Sequence, residues 1–332
     1  MVKMEDVARL AKVSTSTVSH VLNGTRKVSA QTVAAVEQAV QALGYIPNTL
    51  ARSLARSRTN TIGVAISALS NHYFSETAHA IETECARHAI MMLFVDTHDD
   101  PEQELQVVKA LHHRRVDGIL LAPCMDTRQL ALTYLQNNAI PTVLVDRLAP
   151  QGFSQVGVEN RESTRALIAH LIGHGHQRIG MVAGASGLST TEERIDGYRV
   201  ALAEAGLPWD GALVVDGESR SESARIATHR LLGLKQPPSA IMAGNNLMTI
   251  GAMHALREAC LRVPEQMALV GFDDFDWADF FLPRLSVIAQ PVQQLGVQAV
   301  TLLLSCIDNP EGPRQTLRLA PSLRIRNSCG CP

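Results

Sequence analysis

The sequence predicts an α/β protein: an N-terminal three-helix helix-turn-helix domain, a hinge helix, then a core of two doubly wound subdomains. Three observations carry this prediction. At 332 residues the chain exceeds the roughly 250 that a single hydrophobic core usually supports. Within the first 60 residues Lys3, Arg9, Lys12, Arg26, Lys27, Arg52, Arg56 and Arg58 stand against Glu5, Asp6 and Glu37, a net of +5, which leaves −7 for the remainder of a chain whose total is −2. From Thr61 onward apolar runs alternate with amphipathic segments, the pattern of parallel strands covered on both faces by helices.

In the basic head, MEDVARL (4–10) sets Val7 and Leu10 one helical turn apart, with Glu5 and Asp6 in the first turn, where the helix dipole favours acids. A turn ending at Val13 leads to Ser14, a capping residue for a second helix in which Val18, Val21 and Leu22 recur at helical spacing. Asn23 and Gly24 end it. SAQTVAAVEQAVQALGY supplies the third helix, between Ser29 as N-cap and Gly44 as stop. The next stretch, YIPNTLARSLARSRTN, holds Pro47 and then a short basic helical pattern. A segment of about eleven residues without its own core is marginal as a helix in water, so a conditional hinge helix is expected.

In the remainder TIGVAI, MMLFVD, GILLAP, IPTVLVD, RIGMVAG, ALVVDG, AIMAGN and MALVGFDD read as buried strands, with helices such as PEQELQVVKALHHRRV and SARIATHRLLGL between them. These are too many units for one sheet. The expected division is residues 1–46 for the helix-turn-helix domain, 47–60 for the hinge and 61–332 for the core. One core subdomain takes about 61–159 plus 290–320, the other about 160–289 plus 321–332. Ligand chemistry belongs at the strand carboxyl ends, facing the cleft.

Composition excludes several classes of function. With 46% hydrophobic and 19% charged residues the chain is globular, and no stretch approaches the roughly 18 apolar residues of a membrane span. The N-terminus lacks the apolar run of a secretory signal, which predicts a cytoplasmic protein, nucleoid-associated when on DNA. Cys85, Cys124, Cys260 and Cys306 lie in apolar surroundings that suit buried thiols; Cys329 and Cys331, in CGCP, read as a frayed end without a metal. His170, His174 and His176 read as a cationic helix end. GASGLS around Ser186 lacks nucleophile-elbow spacing and no glycine run fits a phosphate loop, so neither an enzyme nor a cofactor is expected.

DNA binding has the stronger case. The first residues of the second helix in a helix-turn-helix reach base edges, where small hydroxyls and a histidine act as adaptable donors and acceptors. STSTVSHVLN (14–23) is that kind of segment.

Further motifs sharpen the reading. MEDVARLAKVSTSTVSHVLN, YIPNTLARSLA, RVDGILL, TVLVDR, GHQRIGMVAG, RIDGYRVAL and VGFDDFDWADFFLPRLSVIAQP run in order over essentially the whole chain. Together they resemble the lactose/galactose-repressor (LacI/GalR) family of bacterial transcription regulators, with the head most similar to the ribose- and purine-repressor branch. The resemblance implies a ligand-responsive repressor, a homodimer on a near-palindromic operator, a hinge helix that folds on DNA and a core related to periplasmic sugar-binding proteins.

By position, Thr15, Ser16 and His20 fall where the family reads bases, and Thr17, Ser19 and Asn23 among its phosphate contacts. Leu54 matches the leucine wedged into the minor groove, with Asn48, Ala51, Arg52 and Ser53 around it. In the core, Tyr73 and Phe74 match the aromatic residues stacked on the effector, and Arg194 and Asp273 the hydrogen-bonding pair; Asp146, Thr190 and Trp277 are further candidates. Two departures narrow the ligand. Asn246 replaces a common aspartate, which removes one acceptor for sugar hydroxyls, and Leu188 replaces the purine branch's arginine, which argues against a purine and leaves a sugar, sugar acid or related metabolite favoured. Release by an inducer is the default and a corepressor the alternative. A solute-binding protein with the same core would need a signal peptide in place of the basic head. RIRNSCGCP has no leucine heptad for a tetramer.

Overall fold

The computed structural model describes residues 2–24, 26–45, 58–67, 71–149, 152–280 and 282–331. The chain divides into two compact units, Met1–Thr59 and Asn60–Pro332.

The smaller unit holds helices α1 (Met4–Ala11), α2 (Thr15–Asn23) and α3 (Ala30–Leu43). Lys12, at φ 55°, ends α1 and opens the tight turn. Ser14 then accepts from the Thr17 amide at 3.1 Å, satisfying an amide that the first turn of α2 leaves orphaned. Ser29 does the same for Thr32 at 3.3 Å, and Gly24 and Gly44 stop α2 and α3 in the left-handed region that glycine adopts without cost. Val7, Ala8, Val18, Val36, Ala39 and Tyr45 form the core.

The larger unit contains, among its described residues, two six-stranded sheets. In chain order the first half supplies β1 (Thr61–Ile66), α4 (His72–Arg87), β2 (Met91–Asp96), α5 (Pro101–His113), β3 (Gly118–Leu121), α6 (Leu130–Asn137), β4 (Thr142–Val145) and β5 (Ser154–Val158). The second half supplies α7 (Arg161–Gly173), β6 (Ile179–Ala183), α8 (Ser189–Glu204), β7 (Val214–Asp216), α9 (Ser221–Leu232), β8 (Ala240–Ala243), α10 (Asn246–Glu258), β9 (Ala268–Phe272) and β10 (Ser286–Ala289). The chain then returns through α11 (Val292–Asp308) to β11 (Thr316–Leu319) before ending with β12 (Ser322–Arg324).

The sheet orders are β11-β5-β4-β3-β1-β2 and β12-β10-β9-β8-β6-β7, so the two halves repeat one topology. Neighbours pair in parallel except β12, which runs antiparallel to β10. The chain therefore passes between the sheets three times, after β5, after β10 and after β11. Returning α11 packs Leu295, Ala299, Val300 and Leu303 into the first subdomain's core with Ile62, Val64 and Leu120.

Gly197 of α8 shows how tightly the helices meet. A β-carbon there would stand 2.2 Å from the carbonyl oxygen of Arg161 on α7, a backbone atom with no rotamer to yield. Gly197→Ala should lower stability by about 1–3 kcal/mol or more, read as a depressed thermal midpoint. A midpoint equal to wild type would refute the contact.

The structure corrects three expectations from the sequence. The C-terminal end is not frayed: Ser328 donates through its hydroxyl to the Leu269 carbonyl (2.5 Å) and accepts from the Ser286 amide (2.9 Å), and Cys329 is 1% exposed. The tail completes the hydrogen bonding beside β9 and β10, which a reading of tail composition does not reveal. Cys260 is exposed, because it occupies the left-handed turn after α10, at φ 54°. Burial followed by the nearby His174 lowers the proton affinity of His170 and His176, against a cationic helix end. Strands β5, β10, β11 and β12 also went unread; Gln155 and Gly157 interrupt the first, and the last two are short polar edges. No helix among the described residues is long and apolar enough to cross a membrane.

Candidate functional site

Within the larger unit the two repeated topologies place equivalent residues in one cavity. Asp146 directly follows β4 and Asp273 directly follows β9, strands with the same place in their respective sheets. Both residues are left-handed, at φ 67° and 76°. Each amide bonds across to the next strand, Asp146 to Val156 O and Asp273 to Ile288 O, both at 2.9 Å. Aspartate tolerates that conformation better than most residues, and cross-strand bonding holds it there. Both carboxylates line the cavity, together with Tyr73, Phe74, Thr190 and Arg194.

Helix starts position the remaining groups. Asn71 caps α4 by accepting from the Tyr73 amide at 3.0 Å, and the Tyr73 hydroxyl donates to Asp146 Oδ1 at 2.7 Å. Burial, reinforced by Asp146, pushes the Tyr73 phenol well above its ordinary range, so it remains a proton donor. Arg194 of α8 donates through Nε to Asn160 Oδ1 (2.9 Å) and through a terminal nitrogen to Gly244 O (2.5 Å). Its guanidinium lies 3.5 Å from the centroid of the Phe272 ring, a cation–π contact that keeps the plane fixed.

Asp273 accepts from Gln290 Nε2 at 2.5 Å and from the Asn246 amide at 3.2 Å. Burial raises both Asp146 and Asp273 above the usual carboxylate range; Arg147 and Arg194 oppose this at Asp146, and Arg194 at Asp273. Gln290 Oε1 is buried without a hydrogen-bond partner, an acceptor whose desolvation a bound hydroxyl would offset. Arg147 pairs with Asp99 and donates to Pro123 O at 3.3 Å. Carboxylates, an arginine fork, a phenol and a primary amide around two aromatic rings suit directional recognition of a polyhydroxylated molecule.

Of the core residues named from sequence, Tyr73, Phe74, Asp146, Thr190, Arg194 and Asp273 come together here. Asn246 and Trp277 do not line the cavity. Asn245 takes the N-cap of α10 and lines it instead, while the Asn246 side chain accepts from the Leu247 amide at 2.7 Å. Trp277 packs on Phe275, with ring centroids 4.0 Å apart. Sequence reasoning missed Asp99, Arg147, Asn160 and Gln290. Two of these carried a signal: Arg147 adjoins Asp146 in TVLVDR, and Gln290 follows β10 in SVIAQP.

On α2, Thr15 and Ser16 are exposed, and Thr17, Ser19, His20 and Asn23 are half-buried. The hydroxyls of Ser16 and Thr17 meet Ser14 Oγ at 2.7 and 2.8 Å, and Asn23 donates to Ser19 Oγ at 3.2 Å. Rotatable hydroxyls keep capacity for a second partner. Asn48, Ala51, Arg52, Ser53 and Leu54 lie outside the described residues.

Comparison with known proteins adds a second line of evidence. A profile described as "Bacterial regulatory proteins, lacI family" matches residues 3–48, and one described as "Periplasmic binding protein-like domain" matches 168–329. The ribose operon repressor of Escherichia coli (strain K12) is 37% identical over 330 residues, 99% of this chain and 100% of the relative. A crystal structure of the lac repressor dimer bound to operator and the anti-inducer ONPF aligns with a TM-score of 0.89 at 28% identity, over 99% of each chain. A LacI family transcriptional regulator from Enterococcus faecium, solved with bound ribose, aligns with a TM-score of 0.72 at 26% identity, over 81% of this chain and 98% of the other.

Proposed function

The chain belongs to the lacI family of bacterial regulatory proteins, DNA-binding repressors that answer to small molecules, and from that membership we propose how this protein works. As a homodimer it holds a near-palindromic operator and releases it when a neutral monosaccharide of about pentose size fills the core cavity. The observation that carries the ligand class is the pairing of Asp146 and Asp273 at equivalent strand ends, with Arg194 between aromatic and amide neighbours.

Charge favours a neutral sugar over a sugar acid. Asp99, Asp146 and Asp273 outnumber Arg147 and Arg194 around the cavity, with Asp99 on its exposed side, so a ligand carboxylate would add to an existing excess of acidic groups. Leu188 lines the cavity at 6% exposure and offers no hydrogen bond to a purine base. The ribose operon repressor among the relatives, and ribose in the Enterococcus faecium structure, support a pentose. A cytoplasmic location, on the nucleoid while DNA is bound, accords with an operator as partner.

The test is a gel retardation series on operator DNA with ribose, other pentoses, hexoses, sugar acids and nucleobases. A neutral sugar should release the DNA and raise the thermal midpoint of the full chain. Release by a nucleobase, or tighter binding with any ligand, would reverse the reading.

For the head we propose that Thr15, Ser16 and His20 read base edges, while Thr17, Ser19 and Asn23 meet phosphates. His20→Ala should cost about 1–3 kcal/mol at one operator position and relax preference there. Equal losses on specific and scrambled DNA would show that His20 reads no base.

A further inference from the structure

Away from the sugar cavity, the end of α7 and the C-terminal tail bring two histidines and two cysteines to one place. His170 and His174 sit four residues apart, and their ring centroids are 4.4 Å apart. His170 Nε2 stands 3.4 Å from Cys329 Sγ and 3.5 Å from Cys331 Sγ. Cys331 Sγ stands 3.2 Å from His174 Nε2. The ligand atoms of His170, Cys329 and Cys331 all lie within 4.8 Å of one another.

We propose that this cluster is a structural transition-metal site, a Cys2His2 set for Zn2+, that ties the tail to α7. Bonds of about 2.3 Å to sulfur and about 2.0 Å to nitrogen at tetrahedral angles put S and N about 3.5 Å apart. The three N···S separations already approximate those edges. Thiolate and imidazole together select zinc or a similarly soft ion over magnesium or calcium.

The surroundings hold the ligands in place. His174 Nδ1 lies 2.9 Å from the carbonyl oxygen of His170 and donates its proton there, which leaves Nε2 with the lone pair. Ser286 Oγ stands 3.1 Å from Cys329 Sγ, a hydroxyl able to stabilise the thiolate. Ser328, next to Cys329, is locked between Leu269 and Ser286, so the Cys-Gly-Cys turn starts from a fixed point. Gly330, at φ 96°, supplies the turn between the two cysteines, a backbone region that L side chains rarely adopt. Binding one ion displaces two thiol protons, so uptake should weaken as pH falls.

The experiment uses the full chain, reduced and stripped of metal, titrated with Co2+ as a spectroscopic stand-in for zinc. One equivalent per chain should give the strong visible bands of a tetrahedral ion and a near-ultraviolet thiolate-to-cobalt band. Zn2+ should erase both and raise the thermal midpoint. Cys331→Ser and His170→Ala should each weaken cobalt binding about tenfold or more, whereas Cys260→Ser, at an exposed and separate thiol, should leave the spectrum unchanged. Cys331 is only half-buried, and a cooperative melt of its variant would show that the fold survives. No spectrum, a spectrum unchanged in Cys331→Ser, or a Cys329–Cys331 disulfide found by mass measurement in freshly isolated protein would each overturn the proposal.

Discussion

In the Asp273→Asn protein, release from the operator should need about 10 to 100 times more ligand, because losing one charged acceptor costs about 1.5–3 kcal/mol. The substitution keeps the shape and leaves an oxygen for either Gln290 Nε2 or the Asn246 amide. Folding should not suffer with it. Burial raises the Asp273 carboxyl above its usual range, so the folded state holds that proton more tightly than the unfolded chain does. Wherever it is ionised the group therefore subtracts from stability, and the deficit fades as pH falls. An amide carries no such deficit, and the variant should melt at or above the wild-type midpoint. Titration calorimetry for the ligand, beside a thermal melt, separates the two effects; an unchanged ligand affinity would remove Asp273 from the site.

Removing residues 1–60 should abolish specific operator binding altogether while leaving ligand affinity within about twofold, a difference of roughly 0.4 kcal/mol. The physical ground is division of labour. The small unit carries its own core around Val18 and Val36, and the large unit contains the whole core cavity. The charge is divided in the same way, with the positive excess in the first 60 residues and the negative excess in the rest, so an isolated core repels the phosphate backbone that the head attracts. The salt dependence of binding should disappear with the head. Operator retention by residues 61–332 would place DNA contacts in the core.

Much of this was legible in the sequence because the physics involved is local. Ser14, Gly24, Ser29 and Gly44 announce helix ends through capping chemistry that acts within four residues, and apolar strands such as GILL and TVLV announce burial on both faces. What stayed hidden depends on distant partners. Asp99 looks ordinary until Arg147 pairs with it, and Asn160 until Arg194 reaches it from α8. Asn246 misled for a local reason: two adjacent asparagines compete for one N-cap, and the sequence does not say which turns to the cavity. The cysteines at the tail misled for a distant one, since His170 lies 159 residues from Cys329.

The equivalence of Asp146 and Asp273 has a consequence for how sensitively the protein can respond. Each half of the core contributes one anchor, so a ligand held by both behaves as a chelated guest: the second contact forms at high effective concentration once the first is made. Weak individual grips then multiply into one sharp affinity, and the sum is available only when the two halves stand at the right separation. A sugar that satisfies one anchor alone would occupy the cavity without drawing the halves together. Such a molecule would be a silent competitor, and the discrimination between signal and decoy would rest on the span between two carboxylates.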